Sequence, residues 1–146
     1  LNDVLTQRLR TNPGASELIK AAQAHGVQTV LVSGGFTYFA QEVQRQLGLD
    51  YIHANTLEIK DGLLTGQVIG EIVNGAVKAR LVREHCERLH ITGDQAIAMG
   101  DGANDLPMMS ISGLSVAYRA KPKVQERAMM SLNFVGLDGL AVVLSA

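Results

Sequence analysis

The fold is decided by residues 96–105, which read Ala-Ile-Ala-Met-Gly-Asp-Gly-Ala-Asn-Asp. The four residues at the start are apolar, and such a short run before a glycine-rich turn predicts a buried strand that ends in a loop. The stretch 28–36 has the same form, because a valine-rich buried strand predicted over 28–32 precedes a Ser-Gly-Gly loop over 33–35. Apolar residues at helical spacing follow each loop. The sequence therefore predicts two units of strand, loop and helix.

The rest of the chain continues this alternation. Further strands are predicted over 114–118 and 132–135, and helices over 13–24, 36–47, 77–89, 106–111, 123–130 and 137–144. The Asp61-Gly62 pair lies between runs at 57–60 and 64–73, which is typical of a β-hairpin. Alternating strands and helices indicate an α/β fold with a mainly parallel sheet, to which the hairpin adds a small flap.

Composition limits the classes of protein that the chain can represent. Its 146 residues are 47% apolar and 18% charged, which fits one domain with a sizeable core. A net charge of −1 argues against nucleic-acid and membrane-surface partners. The uncharged stretch 21–41 is interrupted by polar residues and glycines, so it does not predict a membrane span. Cys86 is the only cysteine, which excludes an internal disulfide and favours a cytoplasmic location.

Polar residues follow the two predicted strands at their carboxyl ends, where open α/β sheets bind ligands. Ser33 and Gly34 offer a hydroxyl and backbone N–H groups at the start of a helix, which suits a phosphate; an ordinary glycine turn is the alternative. Asp101 and Asp105 offer carboxylates, which suit Mg²⁺; solvated acidic side chains are the alternative. A dinucleotide-binding turn is disfavoured, because Asp105 stands where its third glycine should be and would repel pyrophosphate.

Lys78 is the third candidate. It lies near the start of a predicted helix, where a positive charge opposes the helix dipole, and this indicates an anionic partner. A solvated surface lysine is the alternative. In combination, a hydroxyl with amide donors, an ammonium group and a metal-binding acidic loop are the parts needed to neutralise a phosphoryl group during transfer.

The order of these motifs resembles the phosphoserine phosphatases of the haloacid dehalogenase superfamily. The resemblance rests on residues 30–37, Lys78 and residues 100–108, and it extends through 12–15, 47–50, 54–55, 64–66 and 120–122. It implies a Rossmann-like haloacid dehalogenase core. It also implies Mg²⁺-dependent hydrolysis of L-phosphoserine to serine and phosphate in serine biosynthesis, through a phospho-aspartyl intermediate.

The resemblance also implies a role for each candidate residue. The substrate-binding residues would be Ser33, Gly34, Lys78 and Asn104. Lys78 would stabilise the charge of the phosphate and of the intermediate, and Asp101 would ligate Mg²⁺. Asp105 would orient Lys78 or support the metal shell.

One element of the family is absent. The family begins with Asp-x-Asp-x-Thr, whose first aspartate attacks phosphorus and whose second is the general acid and base, and no two aspartates here have that spacing. We therefore expect the nucleophile and most of the helical cap to lie outside this chain, which alone would be inactive. Residues 1–12 are predicted to be the tail of the cap and a linker, and residues 13–146 an incomplete hydrolase core.

The missing first strand lies, in the family, between the strands predicted at 28–32 and 96–99. We therefore expect the missing amino-terminal segment or a second copy of the chain to complete the sheet, unless those two strands pair abnormally. Direct pairing between them would contradict completion of the sheet by a separate amino-terminal segment. Two other functions stay open: hydrolysis of another small phosphomonoester, since the cap that selects substrate is mostly absent, and noncatalytic binding of phosphate or Mg²⁺.

Overall fold

The structure, a computed structural model, describes residues 14–133. These residues form two compact units, which we name the first unit (14–73) and the second unit (74–133). Predictions for the first thirteen residues and for residues 134–146, including the helix over 137–144, lie outside the described residues. No helix within 14–133 has the length and apolar character that crossing a membrane requires.

The first unit contains two helices and a three-stranded sheet. Its elements are α1 (Ala15–Ala24), β1 (Val30–Phe36), α2 (Thr37–Leu47), β2 (Tyr51–Lys60) and β3 (Leu63–Ile69). The first half of β2 pairs in parallel with β1, and its second half pairs antiparallel with β3. Asp61 and Gly62 connect β2 to β3 with φ angles of 53° and 78°, as a two-residue hairpin turn requires. The predicted hairpin is confirmed.

Three features of the first unit differ from the predictions. The first half of β2, residues 51–55, was assigned to no strand but pairs with β1. The predicted loop at 33–35 lies within β1, where the ladder shifts register between Val32 and Phe36. The prediction that β1 is buried is also wrong, since Val30 is 37% exposed. Within the described residues β1 has a strand partner along one edge only, and this leaves its side chains partly accessible.

The second unit contains a three-stranded parallel sheet in the order β4-β5-β6. Its elements are α3 (Gly75–Arg88), a 3₁₀ turn (Gly93–Gln95), β4 (Ile97–Gly100), a second 3₁₀ turn (Ala103–Asp105), α4 (Leu106–Ser110), β5 (Leu114–Tyr118), α5 (Pro122–Arg127) and β6 (Met130–Leu132). The core lies on the central strand β5, where Val116 and Ala117 are fully buried. Val124 of α5 is buried as well. Three of the four strand pairs in residues 14–133 are parallel, which confirms a mainly parallel α/β fold.

The predicted boundaries in the second unit hold at β4 and β5 but fail near the end. The helix predicted over 123–130 ends at Arg127, and the strand predicted from residue 132 already begins at Met130. The cause is a contact with the core strand: Ser115 Oγ accepts the backbone N–H of Met129 at 3.0 Å, and Met130 pairs with Val116. These bonds hold the chain extended at positions where apolar spacing predicts a helix.

The strands β1 and β4 belong to different sheets. Within the described residues β1 pairs with β2 and β4 pairs with β5, and no ladder joins β1 to β4. The direct pairing that would contradict completion by a separate amino-terminal segment is therefore not found in residues 14–133. Completion of the sheet by a further segment or a second copy stays a prediction.

Candidate active site

The second unit contains a buried ion pair between Lys78 and Asp105. Lys78 lies in the first turn of α3, and its Nζ is 2.7 Å from Oδ1 of Asp105 at the end of the second 3₁₀ turn. The two side chains are only 6% and 8% exposed. Removing two charges from water is costly unless their geometry is good and their remaining hydrogen-bonding groups are satisfied. A solvated surface lysine, one alternative for Lys78, is therefore excluded.

The second oxygen of Asp105 organises the loop after β4. Its Oδ2 accepts the backbone N–H groups of Asp101 at 3.1 Å and of Gly102 at 3.2 Å. Both carboxylate oxygens of Asp105 thus have partners, one in α3 and one in the loop. This geometry fits the orienting role that the resemblance implied for Asp105 better than a place among the metal ligands.

Two glycines allow the close packing around this pair. A Cβ at Gly100 would collide with the Asp105 side chain, and a Cβ at Gly75 would lie 2.9 Å from the carbonyl oxygen of Asn104. The start of α3 is also fixed, because Asn74 Oδ1 accepts the Val77 N–H at 3.0 Å. Sequence reasoning did not identify Gly75 as part of the site, although an asparagine cap followed by glycine at a helix start is visible in the sequence.

Asp101 and Asn104 lie on the same turn, and both are exposed. The backbone of Asp101 is fixed by Asp105, while its carboxylate bonds to no residue within 14–133. An accessible carboxylate on a fixed loop is the kind of oxygen ligand that Mg²⁺ takes. No group of three or more His, Cys, Asp or Glu side chains within the described range could hold a metal ion. Asp101 is therefore a side chain that could supply one carboxylate ligand to a metal ion.

The remaining predicted residues, Ser33 and Gly34, lie together in the first unit. Ser33 Oγ accepts the backbone N–H of Gly35 at 3.0 Å, and Gly34 is exposed. The structure thus brings Lys78, Asp101, Asn104 and Asp105 together in one unit and Ser33 with Gly34 in the other.

Asn55 of β2 contacts residues 33–35, and sequence reasoning missed these contacts. Its Nδ2 donates to the carbonyl oxygen of Gly34 at 2.9 Å, and its Oδ1 accepts the N–H of Val73 at 2.8 Å. The residue is 6% exposed. No strand is predicted at Asn55, which enters the sequence analysis only through the resemblance at 54–55. Its partners are backbone groups, which residue types do not reveal.

Cys86 does not compete for the role of nucleophile. It lies in α3 and is buried, and burial raises the pKa of its thiol above the ordinary value. The thiolate is the reactive form, so a raised pKa keeps this side chain unreactive near neutral pH.

The chain is similar to known proteins over most of its length. The sequence profile of the haloacid dehalogenase-like hydrolases matches residues 1–110. A phosphoserine phosphatase of Polaromonas sp. strain JS666 is 51% identical over 144 residues, which cover 96% of this chain and 61% of that protein. The chain belongs to the haloacid dehalogenase-like hydrolase family.

Solved structures give the same result. The unliganded crystal structure of a probable phosphoserine phosphatase from Vibrio cholerae is similar with a TM-score of 0.87 and 45% identity, over 91% of this chain and 41% of that one. A phosphoserine phosphatase solved as a phospho-aspartyl intermediate analogue gives a TM-score of 0.82 and 35% identity, over 88% of this chain and 61% of that one. The chain thus spans about half the length of the relatives that it matches.

Proposed function

We propose that the protein containing this chain is a Mg²⁺-dependent phosphatase of small phosphomonoesters, with L-phosphoserine as its substrate. The proposal rests above all on the buried Lys78–Asp105 pair. Through Asp105, this pair connects the Lys78 ammonium of α3 to the loop that carries the accessible Asp101. The similarity to phosphoserine phosphatases supports the choice of substrate.

In the proposed mechanism each candidate residue of the site has a role in binding or neutralising the phosphoryl group. Ser33 Oγ–H and the N–H of Gly34 donate to its oxygens, and Asn104 adds a side-chain amide. The Lys78 ammonium neutralises charge that develops as the phosphoryl group is transferred, which is most effective from a fixed position. Asp101 would hold Mg²⁺, which when bound would supply further positive charge to the phosphoryl oxygens.

The nucleophile is proposed to be the first aspartate of an Asp-x-Asp-x-Thr segment outside this chain. Its carboxylate would form a bond to phosphorus while the bond to the serine oxygen breaks, and the second aspartate would give that oxygen a proton. Water, activated by the same aspartate, would then release phosphate and restore the first carboxylate. The relative solved as a phospho-aspartyl intermediate analogue supports this assignment.

The biological setting follows from the reaction and is part of the proposal. The enzyme would form serine in the cytoplasm as a step of serine biosynthesis. Residues 1–12 would be the end of the cap and a linker, and 13–146 would be the core that the missing segment or a second copy completes.

The cheapest test is the coding sequence upstream of Leu1. An Asp-x-Asp-x-Thr segment there supports the enzyme, whereas its absence would leave a noncatalytic phosphate- or Mg²⁺-binding protein. The kinetic test compares phosphoserine, phosphothreonine and phosphohomoserine on the full-length protein with and without Mg²⁺. We expect the highest kcat/KM for phosphoserine, and no hydrolysis of any of the three esters without the metal. A higher kcat/KM for another ester would overturn the assignment of phosphoserine as the substrate.

A further inference from the structure

Asn55 occupies the point where β2 changes partner from β1 to β3. Both ends of its side-chain amide are bonded, Nδ2 to the carbonyl oxygen of Gly34 and Oδ1 to the N–H of Val73. Its own carbonyl oxygen accepts the Thr37 hydroxyl at 3.0 Å, at the start of α2. One buried residue therefore connects residues 33–35 of β1, the first turn of α2 and the end of the first unit.

The bond to Gly34 determines more than the position of one oxygen. A peptide group is planar, so the carbonyl of Gly34 and the N–H of Gly35 lie in one plane and point in opposite directions. Holding the Gly34 oxygen therefore also orients the Gly35 N–H, which donates to Ser33 Oγ. With its oxygen already accepting that bond, the Ser33 hydroxyl keeps its own proton available for an anion.

Residues 33–35 need this support because the strand ladder does not hold them. Between Val32 and Phe36 the register of β1 on β2 shifts, and residues 33–35 have no ladder partner within the described residues. Two successive glycines also leave the backbone unusually free. The amide of Asn55 thus takes the place of the missing ladder bonds.

We propose that Asn55 is a positioning residue for phosphate binding by the Ser33–Gly35 loop, which it orients through the Gly34 carbonyl. This inference rests on the proposed function. A neutral amide suits the task, because it can donate to a carbonyl oxygen without placing negative charge beside a phosphate.

The test is Asn55→Asp in the full-length protein. The carboxylate can still accept the Val73 N–H, but it cannot donate to Gly34 and it adds a negative charge. We expect the KM for phosphoserine and the inhibition constant of inorganic phosphate to rise together by about tenfold, the value of one hydrogen bond. The kcat should change little, because this contact serves substrate and transition state alike.

The matched control is Gln44→Glu. Gln44 Nε2 donates to the carbonyl oxygen of Leu49 at 3.2 Å, so the control removes the same type of bond and adds the same charge in the same unit. It should leave both constants unchanged. If Asn55→Asp does not fold, Asn55→Ser removes the amide without adding charge and should raise both constants together, by less than Asn55→Asp.

A double variant distinguishes positioning from general destabilisation. If Asn55 acts through the loop, Asn55→Asp should add little to the effect of Ser33→Ala, whereas independent effects would add. Unchanged constants in Asn55→Asp, or full additivity, would overturn the inference. Failure of the proposed function looks different, since the wild-type protein would then not hydrolyse phosphoserine at all.

Discussion

The two loops proposed to bind the phosphoryl group are held by opposite kinds of anchor. The loop at residues 33–35 is held by the neutral amide of Asn55, and the loop at 101–105 by the buried carboxylate of Asp105. Each anchor comes with a partner, the Val73 backbone for Asn55 and the Lys78 ammonium for Asp105. Of these two anchors, the charged one is therefore the one that has an opposite charge beside it.

The choice of anchor also matches the proposed ligands. The first loop offers hydroxyl and N–H donors to an anion, and a carboxylate anchor there would weaken its attraction for phosphate. The second loop offers Asp101 to a cation, and the charge of its anchor is neutralised by Lys78. Substitutions in the two loops should therefore differ in their effects on metal dependence, stability and phosphate binding. The following variants test this.

The largest effect is expected for Asp101→Ala in the full-length protein. Loss of the carboxylate removes the metal ligand that the second loop supplies, so Mg²⁺-dependent turnover should be abolished. A titration of turnover against Mg²⁺ concentration measures this. Asp94→Ala, at an exposed carboxylate before β4, is the matched control and should behave as the wild type. Near-normal rates in Asp101→Ala would remove Asp101 from the site.

The anchor of the second loop is tested by Asp105→Asn, which keeps the shape but removes the charge. The Lys78 ammonium is then buried without a counter-charge, and breaking such a pair costs about 3–5 kcal/mol of stability. Urea unfolding measures this loss. The double variant Lys78→Met with Asp105→Asn, which removes both charges, should recover part of it. If the urea midpoint of unfolding of Asp105→Asn equals that of the wild type, the Lys78–Asp105 pair does not hold the loop.

Lys78→Ala should lower kcat, with a smaller loss of stability than Asp105→Asn, because Asp105 keeps its two backbone donors. Losing a preorganised positive charge costs on the order of 3 kcal/mol of barrier, or about a hundredfold in rate. Steady-state kinetics measures it, and Lys20→Ala at an exposed helical lysine is the control. An unchanged kcat would exclude Lys78 from the reaction.

The sequence predicted the second loop better than the first for a physical reason. The features that define residues 96–105 are local: an apolar strand, close-packing glycines and two aspartates four positions apart. The Lys78–Asp105 pair spans 27 positions, so the sequence indicated the two residue types and the family resemblance suggested their relation. Only the structure shows the pair to be buried.

The first loop depends on bonds that sequence patterns do not reveal. Asn55 reaches Gly34 across 21 positions and Val73 across 18, and in both cases the partner is a backbone group. The same contacts explain why residues 33–35 stay within β1 although two glycines predict a loop. The pairing of residues 51–55 with β1 was missed because polar residues interrupt their apolar pattern.

The smallest effect is expected for Ser33→Ala. The variant removes one hydroxyl donor to the phosphate and also the acceptor of the Gly35 N–H, which at this exposed position can bond to water instead. A hydrogen bond to a charged group contributes about 1.5–3 kcal/mol, and the lower end of that range applies to the half-buried Ser33, so KM should rise about tenfold. Ser110→Ala, whose hydroxyl donates to the Pro107 carbonyl, is the exposed serine control. A wild-type KM in Ser33→Ala would show that the first loop binds phosphate through its backbone N–H groups alone. The two loops would then differ only in the residues that hold them, Asn55 and Asp105.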